Sequence, residues 1–120
     1  MTEKRVADKA RKGALSWFTI HEPAGAVAGF CAIQHREASC HVWLIGVTPS
    51  QRNKGFGRAL LAFAEQHAVQ YGFAALTIST YPKRTRMLAM LSRHGFHETV
   101  RGPKSTGNKI RLETLLARSR

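Results

Sequence analysis

The sequence predicts one α/β domain, a mixed sheet with helices as crossovers. Three observations carry this. The 120 residues, 43% hydrophobic and 22% charged, suit a single globular core. Short β-rich runs alternate with two amphipathic helical runs in the order β-β-β-α-β-α-β-β. Finally, no repeat or linker divides the chain.

The elements follow in order. Residues 1–13, "MTEKRVADKARKG", are charged, with Val6 and Ala10 the clearest helical-spaced apolar pair. They read as a charged N-terminal arm or short helix, leaving 14–120 as the domain. "LSWFTIHE" (15–22) and "VAGFCAIQ" (27–34) are β-rich and flank the turn "PAGA", which predicts a hairpin. "HVWLIGV" (41–47) is apolar enough to be a strand buried on both faces. After Gly57 a helix carries Leu60, Leu61, Ala64, Ala68 and Tyr71 at helical spacing and stops at Gly72. "AALTIST" (74–80) is a buried strand. "TRMLAMLSRH" (85–94) puts Met87, Leu88, Met90 and Leu91 on one side of a helix closed by Gly95. "FHETV" and "KIRLETLL" are two last strands around the loop "RGPKSTGN".

Charge narrows the function classes. Nineteen Lys and Arg against seven Asp and Glu give a net charge of +12, which favours an acidic macromolecule, nucleic acid or a polyphosphate as partner. Cys31 and Cys40 suggest free buried thiols in a reducing compartment. The N-terminus lacks a signal-like apolar core and no run is long enough to span a bilayer, so a soluble cytoplasmic protein without a membrane partner is expected. "HEPAG" lacks the second His of a zinc motif, and His94 and His97 have no third ligand nearby in sequence, so no metal is expected.

The informative stretch is "VTPSQRNKGFG" (47–57). A strand that feeds directly into a helix leaves the first helical N–H groups unpaired at the positive end of the dipole. Gly55 and Gly57 let a ligand approach the backbone, Arg52 and Lys54 add charge, and Asn53 adds amide donors. These parts describe a pyrophosphate cradle. The dinucleotide fingerprint fails because Leu60 stands where its third glycine belongs, and Lys54 precedes the glycines, which excludes a P-loop.

Val47-x-Pro49-x-x-Arg52-x-x-Gly55-x-Gly57 resembles motif A of the GNAT superfamily of N-acetyltransferases, [RQ]-x-x-G-x-[GA], and "RHGF" (93–96) sits where that family often ends "LGF". The resemblance covers residue 15 to the end. It implies a GNAT (acyl-CoA N-acyltransferase) fold with a mostly antiparallel mixed sheet. It also implies direct transfer of acetyl from acetyl-CoA to an amine: a protein lysine, an N-terminus or a small molecule. Ile45 and Val47 would then give main-chain bonds to pantetheine. Arg52, Asn53, Lys54, Gly55, Phe56 and Gly57 would surround the diphosphate, flanked by Arg58.

The chain departs from the family in three ways. The tyrosine four residues before the late glycine, a frequent general acid, is Leu91, and an asparagine near that helix's start is Arg84. Only about a dozen residues stand where members usually have a strand and two helices before the hairpin, so the N-terminus looks truncated. An open acceptor cleft, or a homodimer through exposed edge strands, is then expected. Tyr81, with Ser79 and Ser92 behind it, is the substitute acid. His41 starts the strand before motif A, near where the histone-type branch carries its general-base glutamate; His35 is a lesser candidate. Strand alternation puts 41, 43, 45 and 47 on one face until a bulge intervenes. Lys83, Arg84 and Arg86 crowd a helix start, which suits the CoA 3′-phosphate or a nucleic-acid backbone. Two rivals remain open: a non-catalytic acyl-CoA-binding module and a nucleic-acid-associated protein on the same scaffold.

Overall fold

In the computed structural model, residues 2–6 and 15–116 are described. The strands are β1 (Thr2–Val6), β2 (Leu15–His21), β3 (Val27–His35), β4 (Cys40–Val47), β5 (Ala75–Thr80), β6 (His97–Arg101) and β7 (Ile110–Leu115). Helix α1 (Phe56–Gln70) joins β4 to β5, and α2 (Thr85–Arg93) joins β5 to β6. All seven strands form one sheet in the order β1-β2-β3-β4-β5-β7-β6. Each neighbouring pair is antiparallel except β4 with β5. That parallel step cannot be made by a hairpin, so it requires the crossover that α1 supplies.

The sequence pattern explains which face is covered. Phe18, Ile20, Cys31, Ile33, Val42, Leu76, Ile78, Ile110 and Leu112 join Leu60, Leu61, Ala64 and Ala68 of α1 and Leu91 of α2 in one core. Each fully buried leucine is worth about 1.5–3 kcal/mol relative to exposure. Gly95, at φ 84°, closes α2, and the Phe96 N–H bonds the Leu91 carbonyl at 3.0 Å. On the opposite face Trp17, Phe30 and Leu44 remain exposed. No helix among the described residues is long and apolar enough to cross a membrane.

Three expectations are corrected, and one is made specific. Residues 2–6 are not an arm or helix but strand β1, in register from Thr2 with His21 to Val6 with Trp17. A β partner on the neighbouring strand overrides the weak helical spacing of Val6 and Ala10. Residues 1 and 7–13, the remainder of the expected arm, lie outside the described residues. The strand before motif A is not buried on both faces, since Trp43 and Leu44 are 44% and 49% exposed. The bulge expected to interrupt the shared face of 41, 43, 45 and 47 falls at Trp43. Val42 pairs with Ile33 but Leu44 with Ala32, so Trp43 is an inserted residue that inverts the alternation beyond it. Tyr71 is exposed at the end of α1 instead of lying in its buried stripe.

Candidate active site

Strands β4 and β5 touch only briefly. Their pairing runs from Cys40 with Leu76 to Val42 with Ile78 and then stops. β4 continues beside β3 alone, and the Thr48 N–H still reaches the Ala28 carbonyl at 2.9 Å. Backbone groups alternate sides along a strand, so Val47 and Ile45 direct theirs away from β3. That side faces the gap where β5 has left. The bulge at Trp43 and this split occupy neighbouring positions, so one irregularity both turns the side chains and marks where the sheet opens.

The gap leads to the end of α1. Gly55 stands at its N-cap with φ 88°, and no side chain caps the helix or places an acid in its first turn. The Ala59 N–H bonds the Gly55 carbonyl, while the N–H groups of Phe56, Gly57 and Arg58 precede the first intrahelical donor. Asn53 is also left-handed, at φ 64°. A Cβ on Gly57 would sit 3.8 Å from Met90 Sδ and from Val47 Cγ2, so alanine fits there and a longer side chain must enter the cleft. Around this end lies a cleft of about 830 Å³ lined by Ile45, Val47, Arg52, Asn53, Gly55, Phe56, Gly57 and Arg58, with Lys83, Arg84 and Arg86 opposite. Eleven of the twelve residues expected there or flanking it are thus gathered. Lys54 is exposed and does not line this cleft. An anion of pyrophosphate type fits these donors and cations.

A second cleft, of about 570 Å³, shares Ile45, Arg84 and Met87 with the first and opens on the helix-free face. His41, Trp43 and Leu44 line it on β4, Ser79, Thr80 and Tyr81 on β5, and Lys109 and Arg111 at the start of β7. Both candidate catalytic residues, His41 and Tyr81, therefore line one cleft. His41 is 4% exposed, and its Nδ1 lies 2.6 Å from Thr77 Oγ1. Burial, then the charges of Arg36, Arg111 and Lys109, pushes its pKa down to about 4. The imidazole is therefore neutral across the physiological range and a weak base. Tyr81 is 36% exposed, with its ring beside Gly107. Leu91 is fully buried in the core. Ser92 is exposed on α2 and lines neither cleft.

Arg36 was missed by sequence reading. It follows β3 in chain order, but its Nε donates to Gln34 Oε1 at 2.8 Å and its guanidinium lies 5.8 Å from the Trp43 ring centroid. The only signal available was a cation seven positions before a tryptophan of the next strand. His35 faces away from both clefts. Its Nε2 is 2.9 Å from His67 Nε2, and one ring nitrogen of each histidine and the buried Cys40 thiol lie within 4.8 Å of one another. Burial and the neighbouring His35 push His67 down to about 4, and burial lifts Cys40 to about 12. Cys31 and Cys40 are buried thiols outside any disulfide, as the sequence suggests.

Comparison with known proteins agrees with this geometry. The sequence pattern described as "Acetyltransferase (GNAT) family" matches residues 2–96. No curated protein sequence matches the chain. Among solved structures, the chain is similar to an IAA acetyltransferase from Bacillus cereus, with a TM-score of 0.76 at 21% identity over 85% of this chain and 78% of that one. The ribosomal-protein-S18-alanine N-acetyltransferase of Escherichia coli superposes with a TM-score of 0.77 at 21% identity, covering 92% of this chain and 74% of the other. A Bacillus subtilis acetyltransferase in complex with CoA gives 0.76 at 19% identity over 86% and 78%.

Proposed function

Because the chain belongs to the acetyltransferase (GNAT) family, we propose that it moves an acetyl group from acetyl-CoA to an amine by direct attack. The observation that carries this reading is the continuous path from the β4–β5 split to the bare N-terminus of α1. Ile45 and Val47 offer main-chain groups to the pantetheine arm along that path. The N–H groups of Phe56, Gly57 and Arg58, with Arg52, Asn53 and Gly55, hold the diphosphate. Arg84, common to both clefts, borders the point where the thioester meets the acceptor.

The acceptor enters from the helix-free face as a neutral amine and attacks the carbonyl carbon. The C–S bond then breaks, the attacking nitrogen releases its extra proton to water, and the departing thiolate takes a proton. Tyr81 is the phenol on that cleft and acts as the proton donor. Neutral His41, fixed through Nδ1 by Thr77, accepts a hydrogen bond from the amine or from a water at Nε2 and so orients it. Its low basicity makes it a positioning group rather than a strong base. Leu91, buried where many relatives carry their acid, favours a second reading: an acyl-CoA-binding module without turnover.

Calorimetric titration with acetyl-CoA, followed by a thiol-release assay on an amine panel, separates these. Micromolar binding with thiol release on an amine supports transfer. Binding without release on any amine leaves the module. A folded protein that does not bind acetyl-CoA removes both.

A further inference from the structure

The cleft on the acceptor side has a charge pattern that nothing in the cofactor reading requires. Its charged lining residues are Arg36, Arg84, Lys109 and Arg111, and no Asp or Glu is among them. Arg36, Lys109 and Arg111 line this cleft and not the phosphate cleft, so the cofactor does not account for them. Arg84, Lys109 and Arg111 form no ion pair among the described residues. Carboxylates are available close by. Glu98 is bound instead to Arg101 at 3.0 Å, and Glu113, two residues beyond Arg111 on β7, is not in the lining. The cations converge rather than scatter: Arg36 and Arg111 are near enough to affect one another, and both act with Lys109 on His41.

We propose that the acceptor is a small amine carrying its own anionic group, a carboxylate or a phosphate, and that Arg36, Lys109 and Arg111 bind that group. This rests on the acetyl-transfer reading above and narrows it. A di- or polycation would enter a like-charged cleft with no carboxylate to receive it, a mismatch that specific sites use to reject ligands. An anionic group can take the Arg111 fork bidentately and the terminal nitrogens of Arg36, whose Nε is held by Gln34. The same cations disfavour a protonated amine beside them, so they help present the neutral nucleophile that the reaction needs. A cleft of about 570 Å³ falls in the usual range for small ligands. Trp43 and Leu44, exposed on its wall, add an apolar surface for the rest of the molecule.

The test uses matched amines on the full chain saturated with CoA for binding, or with acetyl-CoA for turnover. Leucine is compared with leucinamide, phosphoethanolamine with ethanolamine, and spermidine serves as the polycation. The expected result is that at least one anionic member binds, and is acetylated with a kcat/KM about tenfold or more above its neutral twin, with spermidine poorest. The carboxylate and phosphate arms identify which anion is used. Arg36→Gln and Arg111→Gln each erase most of that preference and leave acetyl-CoA affinity within about twofold, since neither residue touches the phosphate cleft. Equal use of the twins, a preference for spermidine, or no binding of either anionic amine to the CoA-saturated protein overturns the inference. So does a preference untouched by both variants. Failure to bind acetyl-CoA is a separate result that removes the parent reading.

Discussion

The two clefts are neighbours built on different principles. The phosphate cleft is centred on backbone donors, the first turn of α1 with Gly55 and Gly57, and is walled by the end of β4 and by α2 with the residues before it. The acceptor cleft is made of side chains drawn from β4, β5, β7 and the turns after β3 and before β7. A backbone site is generic, because every helix end offers N–H donors to any phosphate. A side-chain site is particular, because each cation or phenol was placed by a different part of the fold. A shared cofactor therefore belongs to the first and substrate choice to the second.

The largest effect is expected at Gly57. Gly57→Ala adds only a Cβ at ordinary contact distance from Met90 and Val47, so acetyl-CoA affinity should change by no more than about threefold. Gly57→Glu must send a carboxylate into the space where the diphosphate belongs. Acetyl-CoA affinity should then fall by more than about 100-fold, roughly 2.7 kcal/mol or more. Thermal unfolding checks that both variants fold. If the glutamate variant binds normally, the helix end is not the phosphate site.

Tyr81 probes the other cleft. With acceptor saturating, Tyr81→Phe should lower kcat about 10- to 100-fold and leave acetyl-CoA affinity near wild type, as expected for loss of a proton donor that contributes only during reaction. A normal kcat would pass the proton to solvent and remove the tyrosine from the chemistry.

Legibility in the sequence followed the same division. Gly55-x-Gly57 after a strand could be read as an anion site because its parts are adjacent in the chain and its physics is local. The helices and central strands were equally legible from periodicity. The inversion at Trp43 was not, since a bulge depends on the partner strand, where Ala32 and Ile33 face Leu44 and Val42. Strand β1 was missed because Thr2–Val6 gains its pairing only when β2 lies alongside. Arg36 and Arg111, 75 positions apart, line one cleft only after the sheet is assembled, so no spacing rule could join them. His41 was found from its place at the start of β4, but its neutral state depends on burial and on cations from two other elements.

That neutral state supplies the smallest and most direct test of the acceptor-side field. Burial is the larger cause of His41's low pKa, with Arg36, Arg111 and Lys109 adding to it. Titration of the His41 ring followed by NMR should place wild type near pH 4, against 6.5 for an unperturbed histidine. Arg111→Gln should raise that midpoint, yet leave it below 6.5 because burial is unchanged. The sign for stability follows directly. Between about pH 4 and 6.5 the unfolded chain binds a proton at this position that the folded chain does not. Stability from this group is therefore full above pH 6.5 and declines as pH falls through that window. Arg111→Gln should make the decline shallower, by a few degrees in Tm at most at pH 5 compared with pH 7. An unchanged midpoint in the variant would mean that Arg111 does not act on the cleft floor, and the cationic character of the acceptor side would rest on Arg36 and Lys109 alone.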